Sequence, residues 1–542
     1  WFPDATLNTC HNAVDRHVED GRGGQAALVW HSCATKERQV VTYRELQGRV
    51  SRFAGGLRAL GVGQGDRVLI AMPTMIETAI AMLACARIGA VHVVVFAGYA
   101  GPELARRIDD VGPKVIIIAS CSFQGQTPIP STPALNEALA KTAHRPQACV
   151  IVQREACPAS LLPARDHDFL SLEQSAPAEP VTLRSEDPLY ILHTSGTTGN
   201  AKGIVRDNGG HAVALALSME LIYGCKPGDT FFTTSDLGWV VGHSYGVYAP
   251  LLSGCTSVIV EGGASASAIR ALCHEHDVKC LFTTPTQMRL MRQESRNLSG
   301  AILPTLARIF VAGEYADPTL LEWARSYFRK PVVNHWWQTE TGWSITAHFF
   351  GLPEREPVSL MNDIGRPAPG FRTAIVPSMP GEQCGEIVLS LPLPPGCLAG
   401  VWKDGAIRVP TAYLDETGGH YRTFDEGMIE ANRAVHMLGR SDDVIKVAGR
   451  RISGVQIEKI IATHPSVHAC AVVAVPDALR GQRPVAYVVP DPTVERTLSA
   501  GEIIARVSKV LGRWIGLKEV RFVACLPTTV SGKITRQRLL VS

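Results

Sequence analysis

Residues 66–96 read DRVLIAMPTMIETAIAMLACARIGAVHVVVF. The first eight form a short apolar run closed by proline, as a buried strand would be. The segment 75–89 then sets apolar residues at helical spacing and stops at Gly89, and 91–96 returns to a β-branched strand pattern. The same alternation continues with a helix at 101–112 and a strand at 114–118. It resumes with strands at 188–192, 229–234, 256–262, 278–284 and 307–313, separated by helical stretches. Strand and helix in alternation predict an α/β fold of parallel sheets covered by helices on both faces. Binding sites in such folds lie at the carboxyl ends of the strands.

After about residue 355 the texture changes. Pro and Gly thicken in LSLPLPPGCLAG (389–400) and the β-like pieces shorten, which predicts a small β-barrel-like part. GRSDDVIKVAGRR (439–451) reads as a connector. Beyond it, 454–476 and 501–516 suggest a small, mobile α+β domain of about 100 residues. The expected division is an N-terminal domain over 1–440 and a C-terminal domain over 441–542. The stretch 122–133 is expected to be an exposed loop.

A chain of 542 residues is too long for one ordinary core, and 46% hydrophobic residues with a mean hydropathy of +0.07 supply a substantial interior. The longest apolar runs fall well short of the ~20 residues that cross a bilayer, so no membrane partner is expected. The 53 basic and 50 acidic residues nearly cancel, and a net +3 without Lys/Arg blocks leaves no footprint for nucleic acid. Fourteen scattered cysteines without a CxxC pair argue against a zinc ribbon or a disulfide scaffold. They point to reduced thiols in the cytoplasm or a similar compartment. Because the chain opens on Trp1 rather than Met, we expect either that a segment was removed or that this is a piece of a longer polypeptide.

Four stretches carry chemistry. ILHTSGTTGNAKG (191–203) crowds Thr194, Ser195, Thr197 and Thr198 around Gly196 and Gly199, with Lys202 following. A strand precedes it and a helix is predicted from 209 to 223. Glycines let the backbone approach a ligand, hydroxyls and free N–H groups wrap phosphate oxygens, and the lysine adds charge. The bland alternative is a surface turn. It is not a Walker A loop, because Gly-Lys-[Ser/Thr] never follows. GHSYG (242–246) matches the nucleophile elbow of α/β-hydrolases, with Ser244 as the attacking group of an esterase. NHWWQTETGW (334–343) places three tryptophans around Glu340, either as a packed aromatic corner or as an acidic group and an apolar wall beside a phosphate site. LPTTVSGKITRQR (526–538) sets Lys533 on a turn flanked by glycine; by itself that lysine is solvated charge.

TSGTTGNAKG, WWQTETG, GRSDD and SGKI, in that order and at comparable intervals, resemble the adenylate-forming superfamily of acyl-CoA synthetases over essentially the whole chain. RDNGGHAVAL (206–215), DLGWVVGHSY (236–245) and LPLPPGCL (391–398) resemble its short-chain branch, the acetyl- and especially propionyl-CoA synthetases. GHSY belongs to that pattern, which explains the hydrolase match. The resemblance implies ATP-dependent ligation of propionate, 3-hydroxypropionate or acetate to coenzyme A through an acyl-adenylate, releasing AMP and pyrophosphate. ATP, Mg²⁺ and coenzyme A are the implied cofactor and substrates. A carrier-protein thiol in place of coenzyme A is the alternative acceptor.

The residues follow by matching. Lys533 is the implied catalytic lysine, Glu340 the Mg²⁺ carboxylate, and Thr339 lies by the phosphate. Thr194, Ser195, Gly196, Thr197, Thr198, Gly199 and Lys202 hold the departing pyrophosphate. Gly313, Glu314 and Tyr315 pack on adenine, Asn334 meets its amino edge, and Asp425 and Arg440 contact the ribose. Trp337 caps an acid pocket walled by Val240, Val241 and Ala312. Asp442 is the implied hinge, with Gly449 and Arg451 serving coenzyme A. His193, Phe424, Lys446 and Arg450 depart from the usual Tyr, Gly, Asn and His, and 122–133 lacks the arginines offered to the coenzyme A nucleotide. A larger propionyl-CoA-forming fusion is the expected parent.

Overall fold

The computed structural model describes residues 4–194, 202–294, 303–314, 318–352, 363–377, 383–440, 444–447, 450–492, 498–528 and 534–540, together with Phe2 and Ala316. The chain divides into two compact units. One comprises residues 1–313, 319–360 and 393–412; the other comprises 314–318, 361–392 and 413–542.

The first unit holds two sheets. In the nine-stranded sheet, Asp166–Asp168, Ala148–Val152, Val115–Ala119, Arg67–Ala71, Val91–Val94 and Pro188–Thr194 run parallel in that order. Lys202–Asp207, Gly400–Lys403 and Ala406–Arg408 then continue it antiparallel. The seven-stranded sheet runs Val332–Asn334, Arg308–Val311, Val278–Thr283, Thr230–Thr233, Thr256–Glu261 and Ala26–Ser32 in parallel, with Arg38–Thr42 as an antiparallel edge. The alternation read from the sequence thus yields the parallel sheets expected.

Burial explains the runs. Leu69, Val93, Ile116, Ile118, Ile151 and Ile191 are within 2% of full burial and pack with Leu104, Ile108 and Val111 of the helix Gly101–Val111. Each such side chain contributes roughly 1.5–3 kcal/mol. The helix Ile76–Ile88 is buried at every residue but Glu77, so its apolar character runs all round rather than along a stripe. Its one buried cation, Arg87, reaches Asp15 at 2.7 Å. Thr42 and Glu45 form a capping box that starts the helix Tyr43–Ala59.

The second unit holds an open four-stranded antiparallel sheet, Thr373–Pro377, Cys384–Ser390, His420–Ile429 and Val435–Arg440. Its outer strands do not pair with one another among the described residues, so the barrel-like part expected from sequence is an open sheet, with Ile364 and Gly365 bonded to Val435 at one margin. A five-stranded sheet follows, with Gly481–Pro490 flanked by Val467–Asp477, Val444–Val447 and Glu519–Phe522, and Arg450–Ser453 outermost. Ile457, Ile461, Ile503 and Val507 of the helices Gly454–Ala462 and Ala500–Leu511 close a core of their own against it.

Two local expectations change. The stretch 122–133 is a hairpin of Cys121–Gln124 and Thr127–Pro130, followed by the start of the helix Thr132–Lys141. The connector at 439–451 contains the end of one strand, the whole of a second and the first half of a third. All fourteen cysteines are free thiols. Among the described residues, no helix is long and apolar enough to cross a membrane.

Candidate active site

The parallel strands of the seven-stranded sheet end side by side. Val311 is registered with Asn334, and Ala312 N–H donates to the carbonyl of Thr283. This brings together Ala312, which is buried, Gly313, which is exposed, and the half-buried Asn334. The next residue, His335, locks the strand end. Its Nδ1 lies 2.9 Å from the carbonyl of Val311 and its Nε2 lies 2.9 Å from the Tyr223 hydroxyl. Burial holds its pKa down to about 4 against the pull of the Val311 bond, so the ring is neutral and donates from Nδ1 while accepting at Nε2.

Trp337 follows, 9% exposed, with its ring 5.5 Å from that of Tyr245 in an edge-on arrangement. Tyr245 continues the helical turn Val240–His243, in which Val241 is buried and Val240 half-buried. Gly242 makes that turn possible, since a Cβ there would stand 2.1 Å from the carbonyl oxygen of Asp236. Asp236 is fixed in turn by the Thr74 hydroxyl at 3.0 Å and by Gly238 N–H at 2.8 Å, and burial raises its pKa. The predicted acid-pocket residues therefore lie on neighbouring pieces of one unit.

Ser244 sits inside this helical segment with no exposure, and its Oγ has no hydrogen-bond partner among the described residues. A hydrolase elbow needs an exposed serine at a strand-to-helix turn with a base in reach. The esterase reading therefore fails on geometry.

Thr194 and Lys202 face each other at the loop end of an antiparallel hairpin, Pro188–Thr194 with Lys202–Asp207. The helix expected at 209–223 is Asn208–Leu221, and a strand not read from the sequence, Lys202–Asp207, fills the interval before it. His193, in the place of the family's Tyr, hydrogen-bonds Asp110 through Nε2 at 2.7 Å. Burial lowers its pKa, with the Asp110 bond opposing.

Thr339 and Glu340 stand on a tight turn. Thr341 N–H and Gly342 N–H both donate to the carbonyl of Gln338, and Gln338 N–H donates to the Thr341 hydroxyl. The side chains of Thr339 and Glu340 are half-buried. Their carbonyls point inward, where Arg206 donates to both, and Leu398 N–H adds a second bond to that of Glu340. A carboxylate is the hard oxygen donor that Mg²⁺ takes, water and phosphate oxygens completing six ligands. Glu340 with the adjacent Thr339 hydroxyl fits that ion.

In the second unit Asp425 and Arg440 are direct partners across two strands, their side chains 3.9 Å apart. Phe424, where the family has Gly, keeps a φ of +57°, with the Arg422 guanidinium 4.8 Å above its ring. Ser195, Gly196, Thr197, Thr198, Gly199, Tyr315, Asp442, Gly449 and Lys533 lie outside the described residues, as does the side chain of Arg451. Sequence reasoning missed Arg206, His335, Tyr223 and Asp236. Only the QTETG turn hinted that something must hold its carbonyls.

The family profile described as AMP-binding enzyme matches residues 14–395, and the AMP-binding enzyme C-terminal domain matches 456–533. The chain is 39% identical to the propionate–CoA ligase of Escherichia coli strain K12, over 99% of this chain and 88% of that one. It is 41% identical to the mitochondrial acyl-CoA synthetase short-chain family member 3 of Homo sapiens, over 99% and 80%. Among solved structures, an acyl-CoA synthetase of Brucella canis superposes with a TM-score of 0.72 at 27% identity, covering 99% of this chain and 94% of that one. An anthranilate CoA ligase in complex with anthranoyl-AMP shares the fold at a TM-score of 0.81, with 20% identity and 99% and 97% coverage. The chain belongs to the AMP-binding enzyme family.

Proposed function

From that membership we propose that the protein is an acid–thiol ligase joining a short-chain carboxylic acid to coenzyme A through an acyl-adenylate. The observation that carries the reading is that one unit holds the Thr194–Lys202 hairpin and, bonded to it through Arg206, the turn that bears Thr339 and Glu340. Relatives named as propionate–CoA ligase and short-chain acyl-CoA synthetase support it.

In the first step a carboxylate oxygen of the acid bonds to the α-phosphorus of ATP, the bond to the β-phosphate oxygen breaks, and pyrophosphate leaves. The acid is already ionised at neutral pH, so the protein's task is alignment and charge stabilisation rather than proton removal. Lys202 and the hydroxyls of 194–198 hold the leaving group, and Lys533 offsets charge at the α-phosphate. Glu340 with Thr339 holds magnesium, which when bound neutralises phosphate charge. In the second step the thiol sulfur bonds to the acyl carbon, AMP departs with the acyl C–O electrons, and the thiol proton passes to solvent.

Adenine rests on 313–315 and Asn334, and the ribose on Asp425 and Arg440. Gly449 and Arg451 serve coenzyme A, and Asp442 is the hinge of the domain 441–542. Val240, Val241, Ala312 and Trp337 wall the acid, and alanine at 312 leaves more room than a larger aliphatic residue would. Propionate is therefore the preferred acid, with 3-hydroxypropionate and acetate accepted, since one methylene is worth only about 1–3 kcal/mol. The fourteen free thiols support a reducing compartment such as the cytoplasm.

The test mixes protein, MgATP and propionate, with and without coenzyme A, and follows pyrophosphate and thioester. Pyrophosphate together with propionyl-CoA is expected. Pyrophosphate without thioester would favour a carrier-bound thiol, and no pyrophosphate with any short acid would refute the proposal. Lys533→Ala is expected to abolish adenylate formation while sparing thioester formation from supplied propionyl-adenylate.

A further inference from the structure

Arg206 is among the largest fully buried side chains of the protein, with no measurable exposure. A guanidinium cannot shed its proton, and burying it without a partner is costly. Yet no carboxylate lies within ion-pair distance of it among the described residues. Its donors go elsewhere: Nε to the Tyr190 hydroxyl at 3.2 Å, Nη1 to the carbonyl of Glu340 at 2.9 Å, and Nη2 to the carbonyl of Thr339. Two consecutive main-chain carbonyls are thus gripped by one planar fork, a geometry that the point charge of lysine does not reproduce.

The turn is built around this group. Gly342 has a φ of +75°, and a Cβ there would stand 2.8 Å from Arg206 Cζ, 2.9 Å from Nη2 and 2.5 Å from the carbonyl oxygen of Gly396. Only glycine leaves space for the guanidinium to reach the carbonyls of residues 339 and 340. From the other side Leu398 N–H donates to the Glu340 carbonyl at 2.8 Å. The main chain at Glu340 is therefore pinned twice, while its side chain is half-buried.

Arg206 is also part of the phosphate hairpin. It pairs with Tyr190 across the two strands, in unbroken register with Thr194 opposite Lys202. Side chains alternate along a strand, so Lys202 and Arg206, four apart, share one face of the sheet.

We propose that Arg206 is a positioning residue for nucleotide binding: it fixes the Thr339–Glu340 main chain, aims the Glu340 carboxylate at the metal–phosphate group, and couples that turn to the hairpin carrying Thr194 and Lys202. Its buried positive charge, held by two carbonyls and by the hydroxyl and ring of Tyr190, adds attraction for a polyphosphate. This inference rests on the ligase reading for the identity of the nucleotide.

The test compares wild type, Arg206→Lys and Gly342→Ala. Binding of MgATP without acid is measured by calorimetry, with the Mg²⁺ midpoint of pyrophosphate release, the KM for propionate and the melting temperature alongside. Arg206→Lys keeps charge but loses the fork. It is expected to weaken MgATP binding roughly tenfold and raise the Mg²⁺ midpoint by a similar factor, while the KM for propionate stays within about twofold. Gly342→Ala keeps the guanidinium but displaces the turn, and is expected to shift the same two quantities. It decides the matter should Arg206→Lys fail to fold. Unchanged MgATP affinity and Mg²⁺ midpoint in the folded variants would overturn the proposal, as would equal weakening toward acid and nucleotide alongside a fallen melting temperature. Failure of the ligase reading shows separately, as wild type releasing no pyrophosphate, and the calorimetric comparison still decides the role of Arg206.

Discussion

His335 offers a test in which structure sets the size of the effect. The ring is surrounded by Tyr223, Phe282 and Phe310, with His348 the titratable neighbour that acts on it. Burial lowers its pKa from 6.5 to about 4. The unfolded chain therefore binds a proton below 6.5 that the folded chain refuses, and stability falls as pH drops from 6.5 toward 4, levelling below that. At about pH 5 the unfolded imidazole is almost fully charged and the folded one about nine-tenths neutral, which costs the fold about 2 kcal/mol at about 1.4 kcal/mol per pKa unit. His335→Gln replaces the ring with an amide that never charges. Near neutral pH the variant is expected to be less stable by about 1–3 kcal/mol, from lost packing and imperfect bonds. Near pH 5 the gap should shrink by about 2 kcal/mol. His17 and His92, held down to about 4 and about 3 by burial, keep both proteins acid-sensitive, so the difference between them is what counts. Denaturant unfolding of both at the two pH values reads it. A gap that stays constant to within about 0.5 kcal/mol would refute the buried neutral imidazole.

Ala312→Val should narrow the acid pocket. The extra methylene of propionate is worth about 0.8 kcal/mol or more, so the propionate-to-acetate ratio of kcat/KM should fall at least about fourfold; an unchanged ratio would place the pocket elsewhere. Arg154 and Glu261 form a buried bidentate pair at 2.5 and 2.8 Å. Arg154→Met alone should cost about 3–5 kcal/mol by stranding the carboxylate, and Glu261→Met added to it should recover most of that in unfolding experiments. At Phe424, φ +57° penalises any Cβ. Phe424→Gly should melt a few degrees above Phe424→Ala, by about 1 kcal/mol, though both lose the ring under Arg422.

The parallel sheets were legible because buried strands such as 115–119 are apolar without interruption and their connections are helical. The barrel-like part was over-read: short β pieces rich in Pro and Gly announce antiparallel strands but say nothing about whether their edges meet. Phosphate and acid residues could be named by motif, since Thr, Gly and Lys at fixed spacing keep their identity in any context. Their supports could not. Arg206 works through main-chain carbonyls, which leave no residue type to recognise, and His335 through neighbours at 223 and 311 that only the sheet brings near. The strand Lys202–Asp207 was passed over because its polar ends, Lys202 with Arg206 and Asp207, hide a short apolar centre of Ile204 and Val205.

The outer neighbour of that strand, Gly400–Lys403, is encoded nearly two hundred residues downstream of it. During synthesis at about 5–20 residues per second, the hairpin proposed to hold polyphosphate therefore waits some 10–40 s with its backbone donors and acceptors unpaired along one margin. A ribosome stalled before codon 400 would release a nascent chain whose nucleotide half looks finished but carries a sticky border, ready to recruit another strand. Holdase chaperones should cross-link to such stalled chains and let go once the last stave is in place.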